Sequence, residues 1–139
     1  MRVKSNDRIK FFGNIVLACF ACGVWAEDVL EWPLAAQGES RAVIVTNARM
    51  SVVERHASEE LAYFLGKVTG AETLQAAVLP ADRYGIWLGT ATSNPQIGTS
   101  GLLSEVDALA EQGFLLHADA QGLIIAGKTP VGVLFGVYA

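Results

Sequence analysis

Beyond residue 26 the sequence contains no cysteine, because Cys19 and Cys22 both lie near its start. A chain trimmed there forms no disulfide and offers no thiol nucleophile, so its core must hold it together even in an oxidising compartment. Histidine is as scarce, with His56 and His117 alone. Two imidazoles on separate elements fall short of the three or four ligands of a zinc site. No Gly-x-Ser-x-Gly nucleophile elbow occurs. No apolar run reaches the roughly 20 residues that span a bilayer. The stretch from Phe11 to Ala26 has 16 residues and is interrupted by Gly13 and Asn14. Charged residues make up 17% of the 139 and hydrophobic ones 52%, a balance that excludes disorder and fits one folded domain.

What is present begins with export. Arg2, Lys4, Arg8 and Lys10 precede the apolar stretch, which closes on Val24-Trp25-Ala26. A positive start, an apolar segment and small residues at −3 and −1 are the parts of a secretory signal peptide. We expect cleavage after residue 26 and a periplasmic or extracellular product with no membrane attachment. Val16-Leu17-Ala18-Cys19 resembles a lipid-attachment site, which makes a lipoprotein the alternative. Residues 27–139 carry six basic and thirteen acidic residues, a formal charge of −7. Such a surface repels nucleic acid and anionic lipid.

Residues 27–40 show no clear period and read as a lead-in, with the domain proper over 41–139. Ala42-Val43-Ile44-Val45-Thr46 is short and β-branched, as a buried strand is. Ser51 with Glu54 has capping-box spacing, and Val53, Ala57, Leu61, Phe64, Leu65 and Val68 then recur at helical intervals up to Gly70. Strands are expected over Leu74–Leu79 and Tyr84–Gly89, a loop over Thr90–Gly101, and a short helix over Leu102–Glu111. The runs 113–117 and 123–126, joined by a polar link, predict an antiparallel hairpin. Thr129-Pro130 places an N-cap before an N1 proline and opens a last helix that is apolar almost all round. Such a helix calls for cover on several sides, and with Val133, Leu134 and Val137 near the end we expect the sequence to stop before the protein does.

Residues 122–129 satisfy the Walker A pattern, but Leu123-Ile124-Ile125-Ala126 is a strand and cannot curl its N–H groups around a phosphate. His56, Glu59 and Glu60 share one turn of a helix and read as a solvated face. Trp32, Trp87, Tyr63, Tyr84 and Tyr138 have the chemistry to stack on sugars, though most fall in core elements. Gly132 and Gly136 bring the last helix close to a sheet. Glycoside hydrolysis needs two carboxyl groups roughly 5 to 10 Å apart across a cleft, and no pair here is placed to supply them. We therefore expect no catalytic, cofactor-binding or metal-binding residue, and no cofactor.

Residues 52–65 (Val-Val-Glu-Arg-His-Ala-Ser-Glu-Glu-Leu-Ala-Tyr-Phe-Leu), then Val68-Thr69-Gly70, Gln112-Gly113-Phe114, Gly122–Gly127 and Pro130–Ala139, resemble the N-terminal domain of bacterial alpha-glucuronidases, beta-hexosaminidases and related secreted proteins. The resemblance implies an α/β (α+β) fold, a small mixed sheet with helices packed against it. It implies an accessory domain lying before a catalytic (β/α)8 barrel that serves as its partner, in cis or in trans. The barrel's catalytic acids have no counterpart in this sequence. On that basis we expect a non-catalytic piece of an exported glycoside hydrolase acting on polysaccharide. The alternative is a stand-alone carbohydrate-binding or adhesion module.

Overall fold

The computed structural model describes residues 33–139; the expected signal peptide, Cys19, Cys22 and Trp32 lie outside them. Five strands make the sheet: β3 (Ala42–Val45), β4 (Leu74–Ala76), β5 (Tyr84–Gly89), β6 (Phe114–Asp119) and β7 (Gly122–Gly127). Their order is β4-β3-β5-β7-β6, with the first four parallel and β6 antiparallel to β7. Ahead of it, β1 (Ala35–Ala36) and β2 (Glu39–Ser40) form a small hairpin within the expected lead-in. The N–H groups of Arg41 and Ala42 donate to the Leu34 carbonyl, and Leu34 packs on the core, so ordered structure precedes Arg41.

Alternation along the strands separates two cores. Ala42, Ile44, Ile86, Leu88 and Ile125 face α1 (Val52–Thr69) and α4 (Pro130–Tyr138), while Trp87, Ile124, Ala126 and Leu115 face α2 (Pro95–Thr99) and α3 (Leu103–Asp107). The expected mixed sheet is therefore covered on both sides, which removes both of its apolar faces from water.

The expected start and stop signals are in place. Glu54 N–H donates to Ser51 Oγ at 3.2 Å, and Ser51 N–H donates back to Glu54 Oε2 at 2.7 Å, the reciprocal capping box. Gly70 ends α1 at φ 69°, a left-handed conformation that glycine adopts without a Cβ clash. Asp119 Oδ1 accepts from the N–H groups of Gln121 and Gly122 and so shapes the β6–β7 turn.

Four expectations change. Residues 90–101 are not all loop, because Asn94 caps α2 by accepting from Gln96 N–H at 3.1 Å, with Pro95 at N1. The helix expected over Leu102–Glu111 is the five-residue α3, and its N-cap, Leu102, has no side-chain acceptor. The strand expected over Leu74–Leu79 keeps only the three residues that pair with β3. On α1, Ala57 is buried and Leu61 and Leu65 pack on the core, but Phe64 and Val68 are exposed.

Candidate functional site

Each sequence-level candidate has a definite place. Residues 122–127 of the Walker-like segment are β7, extended between β5 and β6. Lys128 Nζ donates to the Asp107 carbonyl at 2.9 Å, and Thr129 Oγ1 donates to the Glu111 carbonyl while accepting from Gly132 N–H. The lysine and threonine thus tie the start of α4 to the end of α3 and to the turn beyond it. A methyl group on Gly132 would fall 2.4 Å from the Gly113 carbonyl oxygen, so the start of α4 is filled by backbone.

His56, Glu59 and Glu60 sit on α1 and His117 on β6; no group of three His, Cys, Asp or Glu side chains with metal-site spacing occurs among the described residues. Trp87 is buried with Ile97, Leu102 and Val106. Tyr84 borders a shallow cavity of about 480 Å³ with Pro80, Asp82, Arg83 and Gln121. The charges there are already engaged. Arg83 donates to the Ser40 carbonyl and lies 3.7 Å from Glu39 and 3.6 Å from Asp82, and Arg41 approaches Asp82 at 4.0 Å.

A surface that the sequence reading missed lies along α1 and α4. Val133 is buried and Leu134 and Val137 pack on the core, so the residues expected to lack cover have it. The large apolar groups exposed on these helices are Val131, Phe135 and Tyr138 of α4 and Val52, Tyr63, Phe64 and Val68 of α1. The Tyr63 and Phe64 rings meet edge to face at 5.4 Å, as do those of Phe64 and Tyr138 at 6.5 Å. Tyr138 Oη donates to Glu60 Oε2 at 3.1 Å. Loss of hydration and then the Glu60 carboxylate raise the Tyr138 pKa. Lys67 Nζ stands 5.2 Å over the Tyr63 ring. The signal was present in the sequence: positions 131, 135 and 138 share one helical face that the buried positions 132, 133 and 136 do not use.

Clustered exposed aromatics rimmed by polar groups mark an interaction surface. The Phe64 ring stands steeply to both tyrosine rings, at 74° to Tyr63 and 77° to Tyr138, and Lys67 covers one face of Tyr63. Glu60 and Lys67 stand beside the rings as polar neighbours.

No curated protein sequence matches the chain. Among solved structures it is similar to a family GH115 4-O-methyl-alpha-glucuronidase, BtGH115A, with specificity for decorated arabinogalactans. That likeness has TM-score 0.59 and 22% identity and covers 72% of this chain and 13% of that one. A second, a GH138 enzyme targeting pectin rhamnogalacturonan II, gives TM-score 0.49 and 16% identity over 71% of this chain and 12% of that one. The first shows a shared fold, and the chain spans a small part of either enzyme. The model of the glycosyl hydrolase family 67 N-terminus matches residues 34–139, beginning at the Leu34 carbonyl that anchors the first hairpin, and the chain belongs to that family.

Proposed function

We propose that this chain serves as the non-catalytic N-terminal domain of an exported, alpha-glucuronidase-like glycoside hydrolase. In this reading it packs against a catalytic (β/α)8 domain through the α1–α4 face and acts in polysaccharide degradation. The family match over residues 34–139 carries the reading. The aromatic face supports it with a surface in want of cover, and the signal-like residues 1–26 support export.

The test mixes the purified protein with a separately produced family 67 catalytic domain and follows association by sedimentation. Association that Phe64→Asp and Tyr138→Asp each weaken at least tenfold, about 1.4 kcal/mol, is the expected result. The protein alone releases no uronic acid from glucuronoxylan fragments. Absence of association, or binding to the polysaccharide alone that Tyr63→Ala and Tyr138→Ala abolish, would replace this reading by a stand-alone carbohydrate-binding module.

A further inference from the structure

Backbone direction along β7 fixes which groups of β6 face outward. Gly85 N–H donates to the Gln121 carbonyl at 3.1 Å, so the alternate residues Leu123 and Ile125 also turn their N–H and C=O groups toward β5. Gly122, Ile124 and Ala126 turn theirs toward β6, where they stand opposite Asp119, His117 and Leu115. That leaves the N–H and C=O groups of Phe114, Leu116 and Ala118 on the free side of β6, the last strand of the sheet. Among the described residues these outward groups have no hydrogen-bond partner.

An unpaired edge is a template for another strand, and folds ordinarily blunt it with proline, lysine, a bulge or a very short strand. The opposite edge is blunted, since β4 has three residues. β6 has six, pairs one to one with β7 without a bulge, and carries a single charge, Asp119 at the turn. The strand also fits itself. Laid antiparallel to a copy about a two-fold axis at Leu116, it sets Leu116 opposite Leu116 and Phe114 opposite Ala118, so every outward residue meets an outward residue and exchanges two hydrogen bonds with it. A shift by one residue would face outward groups with groups already bonded to β7. In the two-fold register large Phe114 lies against small Ala118, Leu115 against His117 and Asp119 against Gly113, and no like charges meet.

We propose that β6 is a self-association edge: two copies of this chain join their β6 strands antiparallel about Leu116 into one continuous sheet. A second copy is the occupant because one register satisfies every outward group on both strands, which is the self-complementarity that a two-fold contact requires. Pairing over one short strand buries little area, so the dimer is weak and depends on concentration. It leaves the α1–α4 face free and stands apart from the docking proposed above.

The test is amide hydrogen exchange with sedimentation on the full chain, from about 1 μM to about 1 mM. Exchange at Phe114, Leu116 and Ala118 should slow by about tenfold or more at the upper end, while Leu115 and His117, already bonded to β7, keep one rate. Sedimentation should show monomer passing to dimer over the same range. Ala118→Pro removes an outward donor and no bond to β7, so it should abolish both effects, and Phe64→Asp on the aromatic face should retain both. Outward amides that exchange alike at every concentration, or a dimer that Phe64→Asp abolishes and Ala118→Pro leaves intact, overturns the proposal. Should Ala118→Pro fail to fold, the wild-type amides decide it without a variant.

Discussion

Two glycines one helical turn apart set how closely α4 lies on the sheet, and alanine at each yields a ranked pair of stabilities. A methyl group on Gly132 would stand 2.4 Å from the Gly113 carbonyl oxygen, a backbone atom at the start of β6. Real Cβ atoms stay beyond 3.0 Å, so α4 and the Gly113 turn must separate by more than half an ångström. On Gly136 the nearest atoms would be Ile125 Cγ2 at 2.8 Å, a methyl on the Cβ of a buried β-branched side chain, and Phe114 Cβ at 3.2 Å. Overpacking costs about 1–3 kcal/mol, and alanine for glycine within a helix returns about 1 kcal/mol. With rigid backbone opposing it, Gly132→Ala takes the upper end and nets about 2 kcal/mol of destabilisation; Gly136→Ala, opposed by side-chain atoms of a stiff β-branched residue, takes a middle value and nets about 1 kcal/mol. For a domain of this size the first lowers the melting temperature by about 8 °C or more. Thermal unfolding followed by circular dichroism reads both. A Gly132→Ala protein that melts at or above the wild type, or below which Gly136→Ala falls, refutes the packing argument.

Leu88, fully buried at the centre of the sheet, should cost about 2–5 kcal/mol as Leu88→Ala in denaturant unfolding. Glu54 titrates lower in the folded chain than its ordinary 4.5, so its contribution is present above that pH and lost as pH falls through the folded value. An acid titration of stability should show this loss in the wild type and lack it in Glu54→Gln. Glu60→Gln should move the Tyr138 titration down toward 10.0, read by tyrosinate absorbance; an unmoved transition would break the Tyr138–Glu60 contact.

Local chemistry made the ends of α1 and α4, the β6–β7 hairpin and β5 legible in the sequence. Ser51 with Glu54, Thr129 with Pro130, and Asp119 with Gly122 act over a few residues, so tertiary contacts do not redirect them. The misreadings come from tertiary pairing. Leu74 to Leu79 has strand composition throughout, yet only the part opposite β3 finds hydrogen bonds. Phe64 and Val68 fit the helical period of the core, but Ala57, Leu61 and Leu65 take the inner positions. Asn94-Pro95 carries the same start signal as Thr129-Pro130, hidden in a stretch whose composition reads as loop. Glu54 is legible as a cap and not as a bridge, because Thr90 and Ser93 lie 36 and 39 residues away.

The places where such a fold ordinarily acts are filled from within. Glu54 joins the start of α1 to the turn after β5, the Gly113 carbonyl and the Glu111 contact close the start of α4, and Glu39, Asp82 and the Ser40 carbonyl engage Arg83 beside the shallow cavity. Each closure uses groups of the chain itself, so each adds stability at its place. The α1–α4 face differs in kind: Tyr63, Phe64, Phe135 and Tyr138 leave large apolar area in water, which costs about 25 cal/mol per Å² that a partner could cover. On this contrast the proposed role rests: an interface through the α1–α4 face, with the chemistry assigned to another domain.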